Sequence, residues 1–340
     1  MGKITLYGLS RSGKTCYLSA MCQTMGQGID MGNRNYFTAI CPNPFQQANL
    51  DKNYDQMANG KWPEGTGSDS MTYNFDLSFC MRLIQEINIT DYRGALLNSA
   101  NPTDAAAQQA ILDGSIGSGV LLFFIGADVI LKAMESDPAA MRQINFCNSL
   151  YAAYKRQESN YQKTAIMIVI TKADIFDSNN VNRKQARDFV LTRLQSFFGK
   201  GTNLTVGITM ISLGRDLQNT GDNVLSGDLI VGGTYGNLHI PLMYSAYNFL
   251  AQEIERITGE LLSDQARINR QQYALQRELS RSPFARFFVN NESAIRNTLG
   301  EYQARASRTE QQKQDMITVF SKIGSMLKAG ADIFVDGELI

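Results

Sequence analysis

Fifteen residues at the start of the chain limit its fold more than any others. Lys3-Ile4-Thr5-Leu6-Tyr7 reads as a buried strand and runs straight into Gly8-Leu9-Ser10-Arg11-Ser12-Gly13-Lys14-Thr15. An apolar helix is expected next, from residue 16 to about 25. The G-x-x-x-x-G-K-T spacing between a strand and a helix has a mechanical reading. Gly8 permits a sharp turn where a β-carbon would clash. The amides that follow line a concave nest, and a helix beginning near Gly13 points its positive dipole end at the same place. Such a nest binds phosphate. Lys14 would reach the β- and γ-phosphates, and the Thr15 hydroxyl would ligate Mg²⁺. Gly8, Ser10, Arg11, Ser12, Gly13, Lys14, Thr15 and Cys16 are therefore the candidates for the phosphate side of a nucleotide site.

The rest of the chain suits a large α/β domain. With 340 residues, 44% apolar and 19% charged, there is ample material for a core. The formal net charge of zero gives no electrostatic reason to expect nucleic acid as a partner. No apolar run approaches the roughly twenty residues of a membrane span. The five cysteines lack metal-ligand spacing, and with no leader sequence in view a cytoplasmic, reducing setting is expected. One histidine, His239, leaves little scope for a histidine-based metal site or a serine triad.

Residues 120–125 and 165–170 are unbroken apolar runs, the pattern of strands covered on both faces. Residues 71–81 and 83–90 read as a hairpin, 204–211 as a further strand, and 183–198 and 240–257 as helices. This alternation predicts a doubly wound, mostly parallel sheet with one antiparallel hairpin strand. Residues 27–69 form an irregular insert with a helical patch near 45–57, and 219–236 form a Gly- and Asn-rich loop with room for a short hairpin. A domain is expected over 1–258, followed by a helical extension over 259–340.

Ligands in such sheets sit at the carboxyl ends of the strands, and three motifs fall there. Asp91 closes the second hairpin strand in Asp91-Tyr92-Arg93-Gly94, where a carboxylate can hold a Mg²⁺ shell and the Gly94 amide can approach a γ-phosphate. Thr171-Lys172-Ala173-Asp174 follows the strand at 165–170. The Asp174 carboxylate can accept from guanine N1–H and the N2 amino group, a donor pair that adenine lacks, while the Lys172 stem lies along the base. Ser212 and Leu213, at the next strand end, can present an amide to guanine O6. Asp174 also has a plainer reading, as a helix cap or a solvated turn.

The order G-x-x-x-x-G-K-T, D-x-x-G, T-K-x-D resembles the TRAFAC-class, Ras-like P-loop GTPases over about residues 1–258. The resemblance implies GTP/GDP and Mg²⁺ as ligands, with Asp91 and Gly94 opening switch II. It implies switch I near residues 60–66, with Thr66 closing on Mg²⁺ and the γ-phosphate. The W-P-x-x-T phrase from Trp62 to Thr66 is similar to predicted bacterial GTPases associated with conflict or defence systems; Trp62 can equally pin the insert to the sheet. Two positions depart from the pattern. Thr171 replaces an asparagine whose amide ties the base loop to the phosphate loop, so weaker base affinity is expected. Ala95 follows Gly94 where a water-orienting glutamine is usual, so hydrolysis is expected to be slow or assisted. Lys14, Thr66, Gly94, Arg11 and Arg93 are the catalytic candidates, although either arginine can be merely solvated.

In the extension, Arg267, Arg270, Arg277 and Arg281 share a helix face beside a thin apolar stripe of Leu261, Ile268, Leu275 and Leu279. Met316, Val319, Phe320, Ile323 and Leu327 make a clearer amphipathic face. This region is either a packed appendage or a surface for a protein effector or self-association. Two rivals to a switch remain open at this stage. One is a phosphate-loop ATPase or kinase in which Asp174 plays no part. The other is a pseudo-GTPase that keeps nucleotide as a structural component.

Overall fold

The computed structural model describes residues 1–63, 70–97, 105–157, 164–202, 204–221, 223–279 and 292–340. In chain order the strands are β1 (Gly2–Tyr7), β2 (Ile29–Asp30), β3 (Tyr36–Ile40), β4 (Ser70–Phe79), β5 (Arg82–Tyr92), β6 (Val120–Gly126), β7 (Ala165–Thr171), β8 (Thr205–Met210), β9 (Gly214–Asn219), β10 (Leu225–Leu229), β11 (Ala331–Val335) and β12 (Glu338–Leu339). The helices are α1 (Lys14–Gln27), α2 (Pro44–Ala58), α3 (Gly94–Leu97), α4 (Ala105–Ser115), α5 (Ala127–Met134), α6 (Pro138–Gln157), α7 (Asp174–Ser178), α8 (Arg183–Arg193), α9 (Ile240–Leu279) and α10 (Glu292–Gly330).

Every residue of β6 and β7 is buried, as their continuous apolar runs require. They lie at the centre of a sheet ordered β12-β11-β8-β7-β6-β1-β5-β4-β3-β2. Strands β5, β1, β6, β7 and β8 run parallel, and their connections carry helices. The core over one part of this sheet stacks Tyr7 on Phe123 (ring centroids 5.4 Å apart) and Phe123 on Phe197 (5.9 Å). Each such ring contributes about 1.5–3 kcal/mol through burial. The Tyr7 hydroxyl, taken into that core, donates to Ser115 Oγ at 2.6 Å, so its polar end is not left unmatched.

Antiparallel pairing is more extensive than one hairpin strand. Beyond β5 come β4, β3 and β2, and beyond β8 come β11 and β12. Strand β3 alternates exposed and buried residues over only five positions inside an Asn- and Gly-rich stretch, which hides it from periodicity. The extension expected to be mainly helical over 259–340 ends in two short strands. Ala331 pairs with Thr209 and Val335 with Thr205, so the last residues complete the sheet. Arg187 on α8 clasps Asp332 of β11 at 2.5 Å, and Thr209 donates to the Gly330 carbonyl at 2.6 Å.

The chain divides into two compact units, Met1–Asn248 with Ser325–Ile340, and Phe249–Gly324. The second unit takes the later part of α9 and most of α10. Within it Asp264, 2% exposed, meets Arg305 at 3.2 Å and Arg267 at 3.5 Å, so a buried carboxylate ties the two helices. Ile268 and Ile323 are buried there, while Arg267, Arg270 and Arg277 are exposed. Arg281 and the side chain of Leu279 lie outside the described residues.

His239, the residue before α9 in the first unit, is 2% exposed, and burial holds its pKa down at about 4. An ordinary histidine in the unfolded chain takes its proton near pH 6.5. The unfolded state therefore binds more protons between those values, and stability falls as pH drops from 6.5 towards 4. At pH 4.5 this residue is expected to have removed about 2–3 kcal/mol. Urea unfolding at pH 7 and pH 4.5 measures the loss, and His239→Phe should shrink it.

Candidate functional site

The turn between β1 and α1 has the shape its glycines predict. Gly13 sits in the left-handed region (φ 85°, ψ 11°) immediately before Lys14, the first residue of α1. Arg11 is also left-handed, at φ 66°. Left-handed residues alternating with right-handed ones turn successive amides toward one side, which is how a backbone nest is made. A non-glycine residue costs about 1 kcal/mol or more in that conformation, so Arg11 is held there by its surroundings.

Lys14 is only 6% exposed, and its Nζ donates to Gly8 O at 2.7 Å, with Leu9 O at 3.5 Å. Burial lowers its pKa, and the nearby Asp91 carboxylate acts in the opposite sense. Ser12 Oγ is buried with no hydrogen-bond partner among the described residues. A buried ammonium and an orphaned hydroxyl around a nest of amides fit an anionic phosphate group.

Strand β5 lies beside β1 with Asp91 opposite Leu6, which puts the carboxylate at the mouth of the turn. Asp91 is 1% exposed, and Thr15 Oγ1 donates to its Oδ2 at 3.1 Å. A hydroxyl and a carboxylate in contact form a hard oxygen donor set, and the pair fits Mg²⁺. Three residues on, a β-carbon built on Gly94 would meet Leu9 C at 2.4 Å, Ser10 N at 2.5 Å and Gly8 O at 2.7 Å. No side chain fits there, so glycine is what lets the start of α3 rest on the phosphate-side turn. Arg11, Ser10, Arg93 and Ala95 are exposed around this point. Thr66, the expected switch I hydroxyl, lies outside the described residues.

The T-K-x-D motif and Ser212-Leu213 meet just past the ends of β7 and β8. The Ala173 amide donates to Ile211 O at 3.1 Å, and Ile211 N–H to Ile170 O at 2.7 Å, which fixes the two loops against each other. Thr171, expected to have lost the tie to the phosphate side, makes one with its hydroxyl. Its Oγ1 donates to Ser12 O at 2.9 Å. Gly13 lies alongside, with the Thr171 side chain 3.5–3.6 Å from where a β-carbon would be, an ordinary packing distance.

Asp174 is buried, 6% exposed, at the first position of α7. Its Oδ1 accepts from Ser212 Oγ at 3.0 Å and its Oδ2 from the Leu217 amide at 3.0 Å. The helix-cap reading therefore does not describe it, because its partners are Ser212, just past β8, and Leu217 on β9. Lys172, at φ 56°, sends its Nζ to Asp128, donating to Oδ2 at 3.1 Å.

Leu217 and Asp128 carried no functional reading in the sequence. Leu217 belongs to the β9–β10 hairpin, which pairs Leu225 with Asn219 and Leu229 with Gly214. The cluster Asn219-Thr220-Gly221 is a turn signal that announces a hairpin, but nothing in it shows that one backbone amide would reach a carboxylate more than forty positions away. The hairpin also meets the insert. Trp62 N–H donates to Asn223 O at 2.7 Å, Leu225 N–H to Gly60 O at 2.8 Å, and Trp62 Nε1 lies 3.4 Å from Gln218 O. Met57, Leu217 and Leu225 are buried together, with Trp62, Cys16 and Leu213 packed on them. The pinning role read for Trp62 is thus seen, although its anchor is the hairpin.

No protein-family model matches this chain, and no curated protein matches it. Among solved structures it is similar to the signal recognition particle receptor SRb-GTP/SRX complex from Chaetomium thermophilum, at 11% identity over 62% of this chain and 90% of that one, with a TM-score of 0.37.

Proposed function

We propose that the chain is a guanine-nucleotide-binding switch that hydrolyses GTP slowly on its own. The observation that carries this reading is the bond from Thr171 Oγ1 to Ser12 O, 2.9 Å. It fastens the T-K-x-D turn to the phosphate-side turn, so a phosphate-binding nest and a base-reading carboxylate are held at one fixed separation. A simple anion site needs only the first of these.

In this reading the amides of residues 8–15 and Lys14 take the phosphates, and Ser12 Oγ gains the partner it lacks within the protein. Thr15 and Asp91 would hold Mg²⁺, which when bound neutralises phosphate charge. Gly94 packs against the turn, and its amide would sense the γ-phosphate, with residues 60–66 as the second switch segment. Arg11 and Arg93 are exposed and available to stabilise charge. Asp174, positioned by Ser212, would select guanine, and Leu213 and Cys16, packed on the Met57, Leu217 and Leu225 cluster, would line the same side. The second unit is the region offered to a protein effector or to self-association. Exposed Ala95 favours one other reading, a pseudo-GTPase that holds nucleotide without turning it over.

Asp174→Asn tests the base assignment. The amide cannot accept two donors, but it can donate to a carbonyl at C2, so affinity should move from GTP to xanthosine triphosphate. A change of about 10²-fold or more in the ratio of the two affinities is expected. Titration of both nucleotides into the parent and variant chains measures it, and an unchanged ratio would remove guanine recognition from Asp174.

A further inference from the structure

The two oxygens of Asp174 are already engaged by protein donors. Ser212 belongs to the site, but the Leu217 amide comes from the β9–β10 hairpin, and the carboxylate beneath it is 6% exposed. A base that offers N1–H and an amino group needs the open edge of that carboxylate. The hairpin covers this edge with one N–H. It is a small element, held to the rest of the chain by the Met57, Leu217 and Leu225 cluster, by the backbone bonds that Gly60 and Trp62 make to Leu225 and Asn223, and at its other end by Ser178 Oγ donating to Asp216 Oδ1 at 2.6 Å and Tyr235 OH donating to Gly214 O at 3.0 Å.

We propose that the β9–β10 hairpin is an internal competitor for the base side of the site: guanine displaces the Leu217 N–H from Asp174, and displacing the hairpin frees residues 60–62. The inference rests on the guanine-nucleotide reading and adds its regulation and selectivity. The exchange favours guanine because two base donors replace one backbone donor. Adenine presents no such pair to the carboxylate, so it leaves the hairpin seated. The bonds at Gly60 and Trp62 then give base binding a direct route to the switch I candidate, which begins on the same short stretch. An element that must move before binding lowers apparent affinity by the fraction of molecules in which it has moved.

Trp62, the only tryptophan in the chain, packs on the hairpin and so reports this motion. GDP with Mg²⁺ is expected to shift Trp62 emission to longer wavelength as the indole loses its apolar contacts, and ADP is expected to leave it unchanged. In the parent chain the Trp62 and Leu225 amides should exchange hydrogen about tenfold faster once GDP is bound. Leu225→Ala, which loosens the hairpin, should raise the association rate of a fluorescent GDP analogue by about tenfold. If Leu225→Ala does not fold, the emission and exchange measurements on the parent decide alone. GDP binding with Trp62 emission and both amides unchanged would overturn the competitor while leaving the nucleotide site intact. GDP binding to neither chain would overturn the nucleotide reading, and the competitor with it.

Discussion

Lys14→Ala should lose nucleotide binding without losing stability. The Lys14 ammonium is 6% exposed, rests on the Gly8 carbonyl, and has a pKa that burial has lowered. Burial outweighs the nearby Asp91 carboxylate, so holding the charge there is unfavourable for the folded protein until a phosphate arrives to compensate it. Truncating one member of a buried, hydrogen-bonded charge pair costs about 2–5 kcal/mol, or about 30- to 4,000-fold in affinity. The same substitution removes a desolvated ammonium from the fold, so the melting temperature of the variant should equal or exceed that of the parent. Nucleotide titration and thermal unfolding on the two proteins check both halves. Parental affinity in the variant would show that the turn after β1 does not bind phosphate through Lys14.

The second large effect concerns rate. Ala95 is exposed beside Gly94 and has no group that can orient a water molecule. GTP turnover by the isolated chain should therefore be slow, and an arginine delivered by a second protein or a second copy should raise it by about 10³- to 10⁵-fold. Steady-state turnover over a wide range of protein concentration separates the cases. Fast turnover independent of concentration would mean that this chain already supplies the group, with Arg11 and Arg93 the first to replace. No turnover at all, with GTP bound and intact, would favour the pseudo-GTPase.

The parallel centre of the fold was legible because burial on both faces leaves only one kind of residue at positions 120–125 and 165–170. The residues at the strand ends were legible for a related reason. The G-x-x-x-x-G-K-T, D-x-x-G and T-K-x-D spacings each mark a turn that follows a strand, and Gly13, Lys14, Asp91 and Asp174 fall at the ends of β1, β5 and β7. What stayed hidden depends on pairing between distant segments. Strand β11 is five unremarkable residues after a long helix, and it acquires its role only by lying against β8. At Thr171 the loss of the asparagine amide was legible, but the bond from its hydroxyl to Ser12 O was not, because it depends on how two turns distant in sequence lie against each other. Leu217 was invisible as a site residue because it acts through its backbone, which is the same in every residue but proline.

The central claim is that one site reads phosphate and guanine together. Competitive titration of GDP and ADP against the same protein, with Mg²⁺ present, tests it most directly. The account predicts that GDP binds and that ADP binds about 10²-fold or more weakly, because adenine cannot supply the donor pair that Asp174 accepts. Equal affinities for the two nucleotides, both lost in Lys14→Ala, would leave a phosphate site and contradict the claim that it is a guanine site.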